Sequence, residues 1–209
     1  MLSVNDWMNR ATAAIEADAE HLTRLDAAIG DGDHGTNMMR GMRAVTAALA
    51  DGDPDALPGK RLILAGRTLV STVGGASGPL WGSALRHGGR ALGDTAEIDG
   101  PALVKVLTAA LAAVQDLGAA EPGDKTMVDA LAPALSALRD GLEAGDPVDA
   151  AIAAAADAAE DGARATTPMQ ARKGRASYLG ERSVGHQDPG ATSTALIVRA
   201  LGSAFVSPG

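Results

Sequence analysis

Apolar residues recur at helical spacing along most of this chain, most clearly over residues 101–117. There they fall three and four positions apart, which makes one face of a helix continuously apolar. Pro101 suits the first turn of that helix, and Gly118 suits its C-terminal end. Alanine dominates the apolar fraction, and only 2% of the residues are aromatic. This composition favours packed helices over sheets.

The same spacing predicts eight helical segments and no convincing strand. Turns rich in glycine, proline and aspartate separate the segments. No internal repeat or low-complexity linker divides the chain, so we predict a single all-α domain over residues 1–209. The predicted helices cover residues 5–24, 37–50, 60–73, 79–92, 101–117, 127–142, 147–165 and about 191–206.

Charge and composition exclude several classes of protein. The formal net charge is −8, so the chain lacks the basic footprint of a protein that binds nucleic acid or an anionic membrane. Because cysteine is absent, disulfides, zinc thiolate sites and a thiol nucleophile are excluded. The N-terminus does not resemble a signal peptide, and no charge-free run of about 18 apolar residues indicates a membrane span. We therefore expect a cytoplasmic location.

The segment GDGDHG, residues 30–35, has the glycine spacing of a nucleotide-binding turn but not its context. A dinucleotide-binding turn and a protein-kinase glycine-rich loop both need flanking strands, whereas helical sequence precedes Gly30. An EF-hand that began at Asp31 would need glutamate at its twelfth position, where Met42 stands. No Walker A motif occurs in the sequence.

Three acids, Asp26, Asp31 and Asp33, lie within eight residues on a predicted glycine-hinged loop at about 25–36. Crowded carboxylates repel one another unless a cation lies among them. Hard oxygen ligands suit Mg²⁺ or Ca²⁺, which would in turn contact phosphate. The alternative is an Asx-rich turn whose acids cap neighbouring backbone amides. The spacing alone leaves both interpretations open.

Two polar residues follow these acids. His34 is either a structural residue or a contact to phosphate, and its acidic neighbours would favour the imidazolium form. Asn37 either caps the next helix or donates a hydrogen bond to a phosphate.

Three further glycine-rich turns, at residues 73–83, 121–127 and 185–193, also lead into predicted helices. In the first, backbone amides and Ser77 could bind an anion at a helix N-terminus, or small residues could let two helices pack closely. Capping explains most of the second. The recurrence of such turns beside an acid cluster is typical of an α-barrel with a nucleotide site at one rim.

Residues 166–189 form a stretch without clean helical periodicity. Loops of this length in a compact domain are usually functional or disordered. The stretch is either a solvated basic loop or an anion-binding lid. Its residues 172–182 carry a net charge of +3, from Arg172, Lys173, Arg175 and Arg182 against Glu181.

Four blocks of the sequence, in order, resemble the ADP-binding L subunits of bacterial dihydroxyacetone kinases. The resemblance implies an eight-helix, up-and-down antiparallel barrel with a nucleotide and metal site at one rim. It also implies a flexible lid over the phosphates at about residues 168–189. The blocks span residues 25–193 and read LDAAIGDGDHGTNMMRG, VGGASGPLWG, AEPGDKTM and MQARKGRASYLGERSVGHQDPGATS.

The resemblance implies roles for individual residues. Asp26, Asp31 and Asp33 would bind two Mg²⁺ ions that bridge the phosphates of ADP or ATP. Arg175 and His34 are the catalytic candidates, and we infer that Arg175 stabilises charge on the transferring phosphoryl group. The implied nucleotide contacts are His34, Gly35, Thr36, Asn37, Ala76, Ser77, Gly118, Met127, Arg175, Asp188, Pro189 and Gly190.

The family mechanism implies two protein partners. A phosphohistidine of the M subunit, part of the phosphotransferase system, rephosphorylates the bound ADP in place. The γ-phosphoryl group then passes to dihydroxyacetone, which a histidine of the K subunit holds covalently. The sequence itself shows no convincing general base or sugar pocket, which fits a chain that supplies positioning and charge neutralisation.

Two alternatives stay open. An ATP-exchanging kinase for dihydroxyacetone or another short ketose would carry the same acids and lid, together with a separate K-type domain. A non-catalytic nucleotide-binding or regulatory module is the other class, although the intact acids and lid favour catalysis.

Overall fold

The computed structural model describes residues 1–205, which contain nine α-helices and one 3₁₀-helix. No strand occurs in these residues, so the prediction of an all-α fold is confirmed; Leu2 makes only isolated bridges to Ile98 and Phe205. The last predicted helix ends at Ala204, so its predicted extension is wrong at Phe205, and residue 206 lies outside the described residues. The α-helices are α1 Val4–Ala17, α2 Ala19–Ile29, α3 His34–Ala50, α4 Pro58–Thr72, α5 Ser77–Leu92, α6 Gly100–Gly118, α7 Val128–Ala144, α8 Val148–Ala165 and α9 Pro189–Ala204, and the 3₁₀-helix is Arg175–Ser183.

Eight of these helices close into a ring. Going round it, α1, α3, α4, α5, α6, α7, α8 and α9 each pack against the next, and α9 packs back against α1. From α3 to α8, consecutive helices are joined by short connections, which favour antiparallel packing of neighbours. α2 packs against α3, α9 and the 3₁₀-helix instead of taking a place in the ring. The predicted eight-helix barrel is therefore confirmed, with α2 as an additional helix.

The first predicted helix is the one that differs most from its expectation. The chain does not form one helix over 5–24 but breaks at Asp18, which separates α1 from α2. The first turn of α3 packs directly on the first turn of α2. A Cβ atom on Gly35 would lie 2.0 Å from the carbonyl oxygen of Ala19, so only glycine permits this approach.

The predicted loop at about 25–36 is wrong at both ends. α2 continues to Ile29, and α3 already begins at His34. Only residues 30–33 remain as a connection, so Asp26 lies on a helix while Asp31 and Asp33 lie on the turn that follows it. The acids are thus held by more regular structure than the glycine content suggests.

Small residues bring α4 and α5 close together. A Cβ atom on Gly66 would lie 2.7 Å from the carbonyl oxygen of Gly82, and one on Gly89 would lie 2.4 Å from that of Gly59. A Cβ atom on Gly78, at the start of α5, would lie 2.3 Å from the carbonyl oxygen of Val73. The close-packing interpretation of the 73–83 segment is therefore confirmed for its glycines within α5.

α6 is the one helix of the described residues that is long and apolar enough to cross a membrane, by length and composition alone. It packs against α5 and α7 in the ring, and residues such as Leu103, Val106 and Leu107 are buried in the barrel core. The core therefore accounts for its apolar face.

Candidate functional site

Every second connection of the barrel lies at the same end, because the helices alternate in direction. This rim contains residues 30–33, 73–76, 119–127 and 166–188, which precede α3, α5, α7 and α9. The N-termini of these four helices therefore meet at one rim. Helix N-termini carry unpaired amide groups and partial positive charge, so the rim is suited to binding anions.

A cavity of about 450 Å³ opens between these connections. Its volume falls within the usual range for small-ligand sites. The three predicted metal ligands line it, but Gly35 and Thr36 do not: Gly35 packs on α2 and Thr36 points to solvent. The predicted nucleotide contacts that line the cavity are His34, Asn37, Ala76, Ser77, Gly118, Met127, Arg175, Asp188, Pro189 and Gly190.

The three acids converge at this cavity. One carboxylate oxygen from each of Asp26, Asp31 and Asp33 lies within 4.8 Å of the others. Asp26 Oδ2 accepts hydrogen bonds from the backbone amides of Asp33, at 2.9 Å, and His34, at 3.1 Å. The capping interpretation is thus confirmed for Asp26. Within the described residues, the carboxylates of Asp31 and Asp33 cap no backbone amide and are available to a cation.

Glycines shape the turn around Asp26. A Cβ atom on Gly30 would lie 2.1 Å from Asp26 Oδ1, so a side chain there would displace the carboxylate. Gly32 has a φ of +74°, a conformation that favours glycine. The turn therefore wraps closely round Asp26 and presents the two following acids to the same space.

Arg175 reaches the acid cluster from the lid. Its Nη2 atom lies 3.1 Å from Asp31 Oδ2, and both side chains are partly exposed. Residues 173–176 line the cavity, with a turn at Gly174, whose φ is +63°. This part of the basic segment thus forms part of the cavity wall. The proposed contact of Arg175 with phosphate remains a prediction, because the observed partner is the carboxylate of Asp31.

His34 joins three helices of the rim. Its Nε2 lies 2.9 Å from Ser193 Oγ and its Nδ1 lies 3.2 Å from Ser77 Oγ. Burial lowers the pKa of His34, although Asp26 and Asp33 act in the opposite direction. The expectation of a favoured imidazolium is therefore wrong in direction, since desolvation outweighs the neighbouring acids.

Asn37 does not cap α3, which begins three residues earlier. Its Oδ1 atom accepts a hydrogen bond of 2.7 Å from Arg40 Nη2. The side chain also faces Gly74 across the cavity, since a Cβ atom on Gly74 would lie 3.3 Å from Asn37 Nδ2. The phosphate-donor interpretation of Asn37 remains a prediction.

Lys125 is the charged cavity residue that sequence reasoning missed. Its side chain is buried, and Nζ donates hydrogen bonds to the carbonyl oxygens of Met169, at 3.0 Å, and Ser183, at 2.6 Å. Burial lowers its pKa, and Asp188 partly opposes that change. The only sequence signal was a lysine inside the glycine turn at 121–127, because its partners are backbone atoms far along the chain.

Asp188 combines a capping role with an unusual protonation equilibrium. Its Oδ2 atom accepts a hydrogen bond of 2.6 Å from the backbone amide of Ala191 and so caps α9. Burial raises its pKa to about 7. Asp129 and Asp26 act in the same direction, whereas the Ala191 amide and Lys125 oppose it. Ionised Asp188 is therefore unfavourable in the fold without a compensating cation.

Asp188→Asn is expected to remove a pH dependence of stability in protein freed of metal and nucleotide. A group whose pKa rises on folding stabilises the fold below its unfolded pKa and loses that contribution as pH rises through the folded pKa. With the pKa of Asp188 raised from 3.8 to about 7, the wild-type loss by pH 8 is about 4 kcal/mol. Asparagine can still accept from the Ala191 amide but does not ionise.

Urea unfolding of both proteins in EDTA between pH 4 and pH 8 would test this. The stability advantage of the variant should grow across that range, while the exposed control Asp94→Asn should show no such trend. A difference between variant and wild type that stays constant with pH would contradict the raised pKa.

Comparison with known proteins places the chain in a family. Residues 28–203 match the sequence profile of the DAK2 domain. The ADP-binding subunit DhaL of the PEP-dependent dihydroxyacetone kinase of Escherichia coli K12 is 44% identical over 197 residues, covering 94% of this chain and 93% of that protein. The L-erythrulose 1-kinase of Mycolicibacterium smegmatis is also 44% identical over 97% of this chain, which spans only 35% of that protein.

A solved structure shares the fold. The crystal structure of the dihydroxyacetone kinase from C. freundii in complex with AMP-PNP and Mg²⁺ matches 98% of this chain with a TM-score of 0.73 and 29% sequence identity. This chain corresponds to 35% of that protein. The helical barrel, the profile match over most of the sequence and the similarity to nearly the whole length of an L subunit agree: the chain belongs to the DAK2 domain family.

Proposed function

We propose that this chain is the nucleotide-binding subunit of a dihydroxyacetone kinase and holds ADP or ATP with two Mg²⁺ ions in the rim cavity. The observation that carries the proposal is the convergence of Asp26, Asp31 and Asp33 at a rim formed by helix N-termini. Helix N-termini attract phosphate, whereas bare carboxylates repel it. Both features suit a phosphate group accompanied by its metal ions.

The donor set fits Mg²⁺. It consists only of hard oxygen atoms, and the carboxylates of Asp31 and Asp33 are not used for capping in the described residues. Mg²⁺ typically takes one or two carboxylates and completes its coordination with water and substrate phosphates. When bound, it would supply neutralisation of the charge that develops on the phosphates during transfer.

The remaining cavity residues would position the nucleotide. Backbone amides at the start of α5, together with Ser77, are placed to donate to phosphate oxygens. Apolar side chains of Leu80, Val114 and Leu117 line the part of the cavity between α5 and α6 and offer a surface for the base. Arg175 would stabilise the transferring phosphoryl group from the lid. The related structure contains AMP-PNP and Mg²⁺, which supports the binding of a nucleotide with its metal.

His34 is better suited to positioning than to proton transfer. Both ring nitrogens of His34 lie within hydrogen-bond distance of serine hydroxyls, and the ring is buried. We therefore assign His34 a role in holding the start of α3 and contacting phosphate. The group that accepts the proton of the attacking hydroxyl belongs, in this proposal, to the partner that carries the sugar.

Two partner subunits complete the proposed reaction. A phosphohistidine of an M subunit transfers its phosphoryl group to the β-phosphate of bound ADP, which regenerates ATP and free histidine. The γ-phosphoryl group then passes to a hydroxyl of dihydroxyacetone held covalently on a K subunit, and ADP remains bound. Relatives named as PEP-dependent or PTS-dependent support a phosphoryl donor of the phosphotransferase system. We expect the reaction to take place in the cytoplasm.

A second candidate is an ATP-exchanging kinase subunit for another short ketose. The similarity to L-erythrulose 1-kinase favours this second candidate. The sequence identity to that enzyme is 44%, the same as to the E. coli L subunit. Because this chain corresponds to only 35% of that enzyme, the sugar specificity would lie with the remaining part of such a protein, or with a separate partner.

Native mass spectrometry distinguishes these two functions. The protein would be purified in Mg²⁺, dialysed exhaustively and measured intact. We expect a retained mass of one ADP and two Mg²⁺ ions, which corresponds to a resident cofactor that is recharged in place. An empty chain that binds ATP reversibly would favour the exchanging kinase, and a chain that binds neither nucleotide in the presence of Mg²⁺ would contradict both.

A further inference from the structure

We infer that Lys125 positions the lid: its buried ammonium group joins the two ends of the segment 169–183 and thereby fixes Arg175 over the acid cluster. The anchoring concerns contacts within this chain. Only its consequence for phosphoryl transfer rests on the proposed function.

The first observation is that the ammonium group of Lys125 donates hydrogen bonds to both ends of this segment. Nζ of Lys125 contacts the carbonyl oxygens of Met169, at 3.0 Å, and Ser183, at 2.6 Å. These two residues bracket the central part of the lid, residues 170–182, and Arg175 lies between them. The side chain of Lys125 is only 1% exposed. An ammonium group withdrawn from water is tolerated only when it is well hydrogen-bonded, so these two contacts are essential to its burial.

The second observation is that other polar contacts converge on the same place. Ser183 Oγ accepts from the backbone amide of Ala171, at 2.9 Å, and donates to the carbonyl oxygen of Gly180, at 2.6 Å. The backbone amide of Arg172 donates to the carbonyl oxygen of Asp124, at 3.1 Å. The two ends of segment 169–183 are therefore held to each other and to the turn that contains Lys125.

The backbone at the lysine points to the same role. Lys125 has a φ of +63°, in the left-handed region that residues with side chains seldom adopt. Glycine would occupy this turn position without strain. A strained conformation persists where surrounding contacts hold it. Here the contacts of the ammonium group act together with Asp129, whose carboxylate accepts from the backbone amides of Gly123, at 2.5 Å, and Thr126, at 2.7 Å.

A different role for the same group must be separated from this one. Lys125 also lines the cavity, and its ammonium group has a third hydrogen to donate. If Lys125 acted only as a phosphate ligand, its removal would weaken nucleotide binding but leave the lid of the nucleotide-free chain unchanged. An anchor is required whether or not nucleotide is present.

Hydrogen exchange of the nucleotide-free and metal-free protein makes this distinction. Lys125→Met keeps the length of the side chain and removes the donors. We expect amide exchange in residues 169–184 to accelerate about tenfold or more, with exchange in α4 and α5 unchanged. Trypsin cleavage at the basic residues of the lid should accelerate in parallel. Lys105→Met, an exposed change on α6, is the matched control and should alter neither readout.

Two results would overturn the inference. Unchanged lid exchange in Lys125→Met would leave phosphate binding as the only role, and faster exchange throughout the barrel would indicate general stabilisation. If that variant does not fold, Lys125→Gln gives a second test, because it replaces the ammonium group with a shorter, neutral amide. Its lid exchange should rise about three- to tenfold with the barrel unchanged, and an unchanged lid would again overturn the anchor. Neither readout needs nucleotide, so failure of the proposed kinase function would leave this test intact.

Discussion

Asp31→Asn is expected to lower the affinity for ADP in the presence of Mg²⁺ by about a hundredfold or more. The change removes one negative charge from a cluster whose carboxylate oxygens lie within 4.8 Å of one another. Removing one partner of a close charge pair typically costs about 2–5 kcal/mol, and each 1.4 kcal/mol is about a tenfold change in affinity. Isothermal titration of ADP into nucleotide-stripped protein at fixed Mg²⁺ would measure the loss.

The effect should come from the cation site rather than from the fold. Among residues 1–205, Asp31 forms one ion pair, with Arg175, and both side chains are partly exposed, so its loss has little effect on stability. Asp33→Asn should behave like Asp31→Asn, because neither carboxylate caps backbone in the described residues. Asp94→Asn, an exposed acid in the connection at the opposite rim, should bind ADP like wild type. Undiminished ADP affinity in both site variants would rule out a metal role for these acids.

The helices could be predicted from the sequence because their signal is local. The apolar face of residues 101–117 is complete within the segment itself, and the structure places α6 there with one extra residue at each end. The break at Asp18 carries no such local signal. It occurs in a sequence with good helix-forming residues on both sides, and it accompanies the contact between Gly35 and the carbonyl oxygen of Ala19. Contacts of that kind are decided by tertiary packing.

The residues of the candidate site differ in the same way, because some have a local sequence signal and others depend on tertiary packing. Asp26, Asp31 and Asp33 could be found because they are adjacent in sequence and separated by glycines. The sign of the pKa change at His34 could not be predicted, because it depends on burial beneath α5 and α9 rather than on the acids beside it. The role of Lys125 could not be predicted for a related reason. Its partners are backbone carbonyl oxygens 44 and 58 residues away, and the pattern of side chains in the sequence does not show such contacts.

Arg175→Ala is expected to slow phosphoryl transfer by about a thousandfold while ADP affinity changes by less than about tenfold. An arginine that stabilises the transferring phosphoryl group is worth about 10³–10⁵ in rate. In the structure the guanidinium lies 3.1 Å from a carboxylate oxygen of Asp31, so it reaches the position where the phosphates and their metal ions are proposed to meet. The side chain belongs to the lid and is partly exposed, which makes it a poor candidate for holding the nucleotide. Turnover with a K subunit and bound ATP, measured beside ADP titration, separates the two quantities.

Two further variants make the test specific. Lys173→Ala removes a neighbouring positive charge that also lines the cavity, and it should lower turnover far less than Arg175→Ala if position matters more than net charge. Arg175→Lys keeps the charge but loses the planar fork that matches phosphate oxygens, so it should recover only part of the rate. Equal losses in Lys173→Ala and Arg175→Ala would indicate that the lid acts through its total charge. Unchanged turnover in Arg175→Ala would remove this residue from the mechanism and leave the metal-bound acids as the chain's main contribution to transfer.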